Sequence, residues 1–379
     1  MQTTALNQQP APAQAAEREN RIYVASQWEL MWRRFRKHKL ALVSAVLVLL
    51  IYVAAVFAPF LAPYPADLIN TQYTYAPPQP LHFFDEQGRF VGPHVFGLTQ
   101  TVDKVALRRV FTPDPTQKIP LGFFVQGEPY QLLGFISTDR RLFGPTDSMQ
   151  SAYLFGADRL GRDMLSRMIY GAQISMSIGL VGVFLSLVLG IILGGMLGYN
   201  GGKIDEVIQR LIEILRSMPT IPLWMGLAAA APKDWSSLQI YFAITIILSF
   251  IGWIELARVV RGRFLSLREE DFVMAARLDG FNESRIILRE MVPSFLSHII
   301  ASLTLAIPGV ILAETALSFL GLGIQPPAVS WGLLLQEAQN VRAVATAPWL
   351  LIPSLLVVVV VLVLNFFGDG LRDAADPYA

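Results

Sequence analysis

The 379-residue chain has no cysteine, so a disulfide framework, a thiolate metal site and a cysteine nucleophile are all excluded. Charge is also scarce: Asp, Glu, Lys and Arg make up 16% of residues against 53% hydrophobic, and mean hydropathy is +0.47. That balance excludes an ordinary soluble domain. Histidine occurs only as His38, His82, His94 and His298, never in a His-Glu-x-x-His pattern, and no Gly-x-Ser-x-Gly elbow is present. The one Gly-Lys pair, Gly202-Lys203, is followed by Ile204 and has Leu197 where a Walker A loop begins with glycine. Neither ATP hydrolysis, a resident metal nor a cofactor is expected of this chain. No fixed-period repeat or inverted duplication is visible.

What the sequence does have is long uncharged runs. About 20 apolar residues carry a helix across roughly 30 Å of hydrocarbon. Five runs qualify: Leu40 to Ala62, Ile174 to Leu197, Leu238 to Ile254, Phe295 to Leu322 apart from His298 and Glu314, and Ala347 to Phe367. Met218 to Ala231 is short and is accepted as a sixth on parity, borrowing the turn with Glu213 and Arg216. Orientation follows from basic residues close to the spans. Arg33, Arg34, Arg36, Lys37 and Lys39 precede the first span and place the N-terminus in the cytoplasm. Six crossings return the C-terminus there and put the arginine-rich segment 258–293 inside; the outside loops near Lys233 and Arg342 carry one basic residue each. Topology explains the basic leader better than nucleic acid does.

Residues 1–22 are Gln-, Ala- and Pro-rich and are expected to be a disordered leader. Residues 23–39 read as an amphipathic helix on the inner leaflet, anchored by Trp28, Trp32 and Phe35. Between the first span (40–62) and the core (167–371) lie residues 63–166, too many for a connector. Turn signals there separate strand-like stretches, including Gly122 to Val125 and Tyr130 to Ile136, so a β-rich outside insertion is expected. Residues 372–379 form a cytoplasmic tail. Gly190, Gly194 and Gly198, four residues apart, offer a face for close helix packing, within the chain or against another subunit.

The inner loop contains Asp271-Phe272-Val273-Met274-Ala275-Ala276-Arg277-Leu278-Asp279-Gly280, a helix former closed by a glycine suited to a left-handed cap, and Val292-Pro293 opens the next span. An amphipathic segment resting on lipid headgroups would share these features. The loop resembles that of type I ABC importer permeases, with Gly280 and Pro293 at the family's glycine and proline; Met274 stands where the family has glutamate, and Glu290 where it often has an apolar residue or histidine. Longer matches narrow the resemblance to the second permease subunit of the dipeptide, oligopeptide and nickel subfamily. They are Phe155 to Arg167, Tyr170-Gly171-Ala172, Gly198 to Gly202, Leu317 to Gly323, Pro326-Pro327 with Trp331-Gly332, and Gly368 to Asp373.

The resemblance implies an all-α polytopic fold with six transmembrane helices, and a non-catalytic subunit for peptides in a bacterial inner membrane. It also implies a homologous permease partner, two cytoplasmic ATPases and an external solute-binding protein. Nickel chelates, glutathione, opines and oligosaccharides are alternative cargoes. On this reading Asp271, Phe272, Met274, Ala275, Ala276, Arg277, Gly280 and Pro293 couple to the ATPase. Glu314, the ionisable residue deepest in a span, with Ser318 and Phe319, is a candidate for the pathway or gate, or else a buried hydrogen-bond partner. The outside insertion would receive the binding protein. An ion-driven secondary transporter is the rival from another class.

Overall fold

The computed structural model describes residues 27–84, 88–104, 108–232 and 234–375. The leader 1–22 and the last four residues of the tail lie outside the described residues. Helix α1 (Gln27–Phe35) bares Trp28 and Trp32, as an interfacial helix should, but Phe35 is buried. Its ring meets Phe367 edge-on at 6.0 Å, so it joins the protein core instead of anchoring in lipid. Helix α2 (Lys39–Val56) starts where His38 Nδ1 accepts the Ala41 amide. It ends at Phe57, ahead of Pro59, and a short helix α3 (Ala58–Leu61) follows.

The insertion is an antiparallel four-stranded sheet in sequential order: β1 (His82–Phe84), β2 (Phe90–Asp103), β3 (Arg108–Leu132) and β4 (Ile136–Pro145). The 25-residue β3 pairs with β2 over its first half, as in Leu98 opposite Pro113, and with β4 over its second, as in Phe123 opposite Phe143. Tyr130 to Ile136, expected as one strand, is instead the end of β3, a turn at Leu133 to Phe135 and the start of β4, because Leu133 and Gly134 both take positive φ and reverse the chain.

Five helices are long and apolar enough to cross a membrane: α2, α4 (Met164–Asn200), α7 (Ser237–Leu267), α9 (Leu296–Phe319), and the segment 348–375 that ends in α11 (Ile352–Ala375). The sixth crossing differs from its predicted bounds. It is made by two helices, α5 (Gly202–Ser217) and α6 (Thr220–Ala229), broken at Met218-Pro219. A return crossing there is required because α4 and α7 run parallel: Tyr241 bonds Ser177, Ser249 bonds Gly182, and Gly198 abuts Phe264. Helices α5 and α6 follow α7 backwards, from the Asp205–Arg261 pair through Ile212 beside Trp253 to Ala228 beside Ile244. Their 16 and 10 residues reach about 39 Å at 1.5 Å per residue.

The parity holds independently. Met31, Phe35 and Ala41 pack with Ala374, and a Cβ on Gly370 would lie 2.0 Å from that of Ala41. The first span therefore begins at the same end of the bundle where the last one finishes, and the number of crossings is even. Helix α7 also continues as helix to Leu267, so the arginine-rich loop expected from Arg258 begins at Arg268. Charged residues on a helix extending past the hydrocarbon are solvated without breaking it.

Candidate functional site

At the end of the bundle opposite the insertion, helix α8 (Asp271–Leu278) lies across the termini of α4 and α7. Asp271 occupies its first turn, where the helix dipole favours an anion. Val273 and Ala276, three residues apart, turn inward and are buried against Val260, Phe264, Ile286 and Met291. The C-terminus closes as a Schellman motif: Phe281 N–H donates to Ala276 O at 3.1 Å and Gly280 N–H to Arg277 O at 3.0 Å. Gly280 has φ +75°, and a Cβ there would meet nothing, so glycine is required by conformation and not by crowding.

Arg277 lies over the Tyr199 ring at 4.7 Å and its Nε donates to the Tyr199 hydroxyl at 2.9 Å, fastening α8 to the end of α4. The outward arc carries Asp271, Met274, Ala275 and Leu278, with Phe272 beside it, all exposed. Leu278 is 88% exposed. An eight-residue helix that is apolar on both sides has one side filled by its own chain and one side bare. Ala276 is the small residue that seats the helix, whereas Ala275 faces away. Pro293 opens the short turn Val292–Ser294 ahead of α9 and lies outside the α8 surface.

Gly190, Gly194 and Gly198 face α7. A Cβ on Gly194 would stand 2.5 Å from the Ala257 carbonyl oxygen, and one on Gly198 2.6 Å from Phe264 Cβ. This contact and the bidentate Asp205–Arg261 pair (2.6 and 2.5 Å) make α4, α5 and α7 one frame beneath α8.

Glu314, in the C-terminal third of α9, is fully buried. Ser318 Oγ donates to its Oε1 at 2.7 Å and Ser175 Oγ, on α4, to its Oε2 at 3.0 Å. Each serine in turn accepts a backbone amide of the loop that returns after α9: Ile324 N–H reaches Ser318 at 3.0 Å and Trp331 N–H reaches Ser175 at 3.1 Å. That loop leads into α10 (Trp331–Glu337), whose Trp331 indole is buried and donates to Met168 O at 3.0 Å. The glutamate thus ties α4, α9 and the loop together. Phe319 is 37% exposed and is not part of this seat.

Two features went unread in the sequence. At the insertion end Asp158, Arg162, Arg167 and Glu337 form a buried ion network, with Arg162 reaching Asp158 at 2.6 Å and both arginines reaching Glu337 at 3.0 Å. Asp158, Arg162 and Arg167 are close in sequence, but Glu337 is 175 residues from Arg162, so no spacing rule completes the set. Nearby, Asp163 caps α4 by accepting the Ser166 amide at 2.7 Å, and burial pushes its carboxyl up to about 6, opposed by the bonds from Ser166. The second feature is a cavity of about 400 Å³ between α4, α7, α9 and the end of α11, lined by Ser186, Gly252, Glu255, His298, Ser302 and Arg372.

A bundle of six crossings, with small residues at its central helix contact and a helix bared at one end, has the architecture of a transporter's membrane half. The chain belongs to the family of binding-protein-dependent transport system inner membrane components, which matches residues 161–378. Residues 26–78 match the N-terminal TM domain of oligopeptide transport permease C. These matches give the spans the type I importer (MetI-like) fold and make the chain a multi-pass membrane permease subunit. The oligopeptide transport system permease protein OppC of Haemophilus influenzae is 39% identical over 241 residues, 63% of this chain and 75% of that one. OppC of Bacillus subtilis is 29% identical over 371 residues, 97% and 96%. The glutathione transport system permease protein GsiD of Escherichia coli is 32% identical over 355 residues, 93% and 91%.

Proposed function

We propose that this chain is a non-catalytic permease subunit of an ATP-driven importer of di- or oligopeptides, working in a heterodimer with a homologous permease. Two cytoplasmic ATPases and an external solute-binding protein complete the assembly, in a bacterial inner membrane with both termini cytoplasmic. The observation that carries the reading is the bare apolar arc of α8 on a frame that joins it to three spans. The family supplies the binding-protein dependence, and the similarity to two oligopeptide permeases supports the cargo.

In this mechanism an ATPase surface grips Met274, Ala275 and Leu278. Movement passes through Val273 and Ala276 into α7 and the start of α9, and through Arg277 and Tyr199 into α4. Rigid elements so joined move as a body, and the spans rock between two states of access. Glu314 and Ser318 hold the loop after α9 in place during that motion, while Glu255, His298 and Ser302 line the cavity that offers a path. The insertion, on the far side of the membrane from α8, receives the loaded binding protein. Glutathione is a second cargo, favoured by the similarity to a glutathione permease along most of the chain.

The test is uptake of labelled tripeptide by cells whose only copy of the permease is this chain or its Gly280→Val variant. The variant should reach the membrane at the wild-type level yet neither co-purify an ATPase nor import. Normal co-purification would refute docking through α8. Deleting residues 82–145 should weaken capture of the binding protein and leave ATPase association intact.

A further inference from the structure

The β3–β4 hairpin is the part of the insertion that lies closest to the membrane-spanning helices. Near its base, Gly144 stands against Pro63, and Arg141 donates to the carbonyl oxygens of Ala62 at 3.0 Å and Pro59 at 3.3 Å. The rings of Phe124 and Phe60 are 6.1 Å apart. Tyr64 donates its amide to Ser166 Oγ at 3.0 Å, which fixes this level at the first turn of α4. Farther along the hairpin Tyr130, opposite Thr138, lies under the Arg141 guanidinium at 5.1 Å. From Gly144 to Arg141 and Phe124 the contacts pass from Pro63 back to Pro59 and Phe60, toward the end of α2. The hairpin therefore descends along α3 toward the first span and the membrane.

Its tip lies beyond Tyr130. Leu132 pairs with Ile136, and Leu133 and Gly134 close the turn. Phe135 is 76% exposed, Leu133 48% and Ile136 44%. The sequence from Pro129 to Thr138 contains no charged residue. We propose that this tip, Leu132 to Ile136, inserts into the lipid leaflet on the insertion side.

Lipid is the favoured occupant because the exposed surface is continuous. Val53 and Val56 of α2 and Phe57 are bare, and they lead into α3, against which the hairpin lies. An aromatic and aliphatic turn suits the zone between headgroups and acyl chains. The depth is bounded as well. In this stretch β3 and β4 pair only with each other, and their outer backbone groups need water or headgroups, so the tip stops at the interface. The hairpin then acts as a second foothold that holds the insertion at a fixed height above its leaflet.

The chain's lack of cysteine makes the test direct. Phe135→Cys, Ile136→Cys and, as a water-exposed reference on β2, Thr101→Cys are each spin-labelled in the complete importer, reconstituted in phosphatidylethanolamine–phosphatidylglycerol vesicles; the unsubstituted chain gives the label background from the companion subunits. The ratio of oxygen to nickel-chelate collisions should be about threefold or more higher at 135 and 136 than at 101, as an interfacial depth requires. Equal ratios at the three sites would place the tip in water and overturn the proposal. Shielding of 135 and 136 from both reagents would place it against another protein chain and overturn it equally.

Discussion

Glu314 shows how a carboxylate is kept in a span without a cation. Both oxygens accept hydroxyls, and the hydroxyls of Ser175 and Ser318 are each pinned by a backbone amide, so the carboxyl's acceptors are satisfied within the protein. Glu314→Ala leaves Ser175 and Ser318 without their acceptor and opens a cavity, and should cost about 2–4 kcal/mol. Glu314→Gln keeps one accepted bond and should cost less than half of that; thermal unfolding of the purified protein in detergent measures both. Asp163 caps α4 from outside the span. Its folded-state value of about 6 lies above the ordinary 3.8, so folding favours the protonated form. Its contribution is fully present below pH 3.8 and is lost as the pH rises through 6, a change of about 3 kcal/mol. Asp163→Asn should flatten that part of the pH–stability profile, and an unchanged profile between pH 4 and 7 would contradict the assignment. Glu314 was conspicuous in the sequence because a charge interrupts an apolar run. Its partners were not, since Ser175 is 139 residues away and serine is commonplace in spans.

Among the elements, those with a single strong period or a long apolar run were legible, and those built from two conflicting signals were not. The five long spans follow from hydropathy alone. The α5–α6 crossing did not, because α5 carries Asp205, Glu206, Arg210, Glu213 and Arg216 and reads as a surface helix. Parity asked for a sixth crossing, and the parallel packing of α4 on α7 shows that α5 and α6 make it. Helix α8 was visible through its capping glycine, but which alanine faces inward depends on where the helix sits. Two substitutions separate shape from conformation at this level. Gly194→Val drives a side chain into the Ala257 carbonyl and should lower the melting temperature by several degrees, whereas Gly262→Ala, which meets open space on α7, should leave it unchanged or raised by up to about 1 kcal/mol of stability. At the α8 cap, Gly280→Val forces a β-branched residue into left-handed backbone at about 1–2 kcal/mol. Gly280→Asn tolerates that backbone and should retain more ATPase on co-purification.

The molecule as a whole has two ends with different construction. At the insertion end, the Asp158–Arg162–Arg167–Glu337 network and the sheet fix loops to one another through buried charge, a rigid platform. At the other end, α8 rests on a small apolar patch and a single arginine–tyrosine contact, with its outer face bare. That contrast suits a machine that receives solute on a fixed surface and is driven from a movable one. A photo-crosslinking amino acid at Leu278, compared with one at Lys118 on β3, tests this most directly in native membranes. The account predicts an adduct between position 278 and an ATP-hydrolysing subunit, with a yield that changes when ATP and vanadate are added, and no such adduct from position 118. An ATPase adduct from 118, or none from 278, would contradict it.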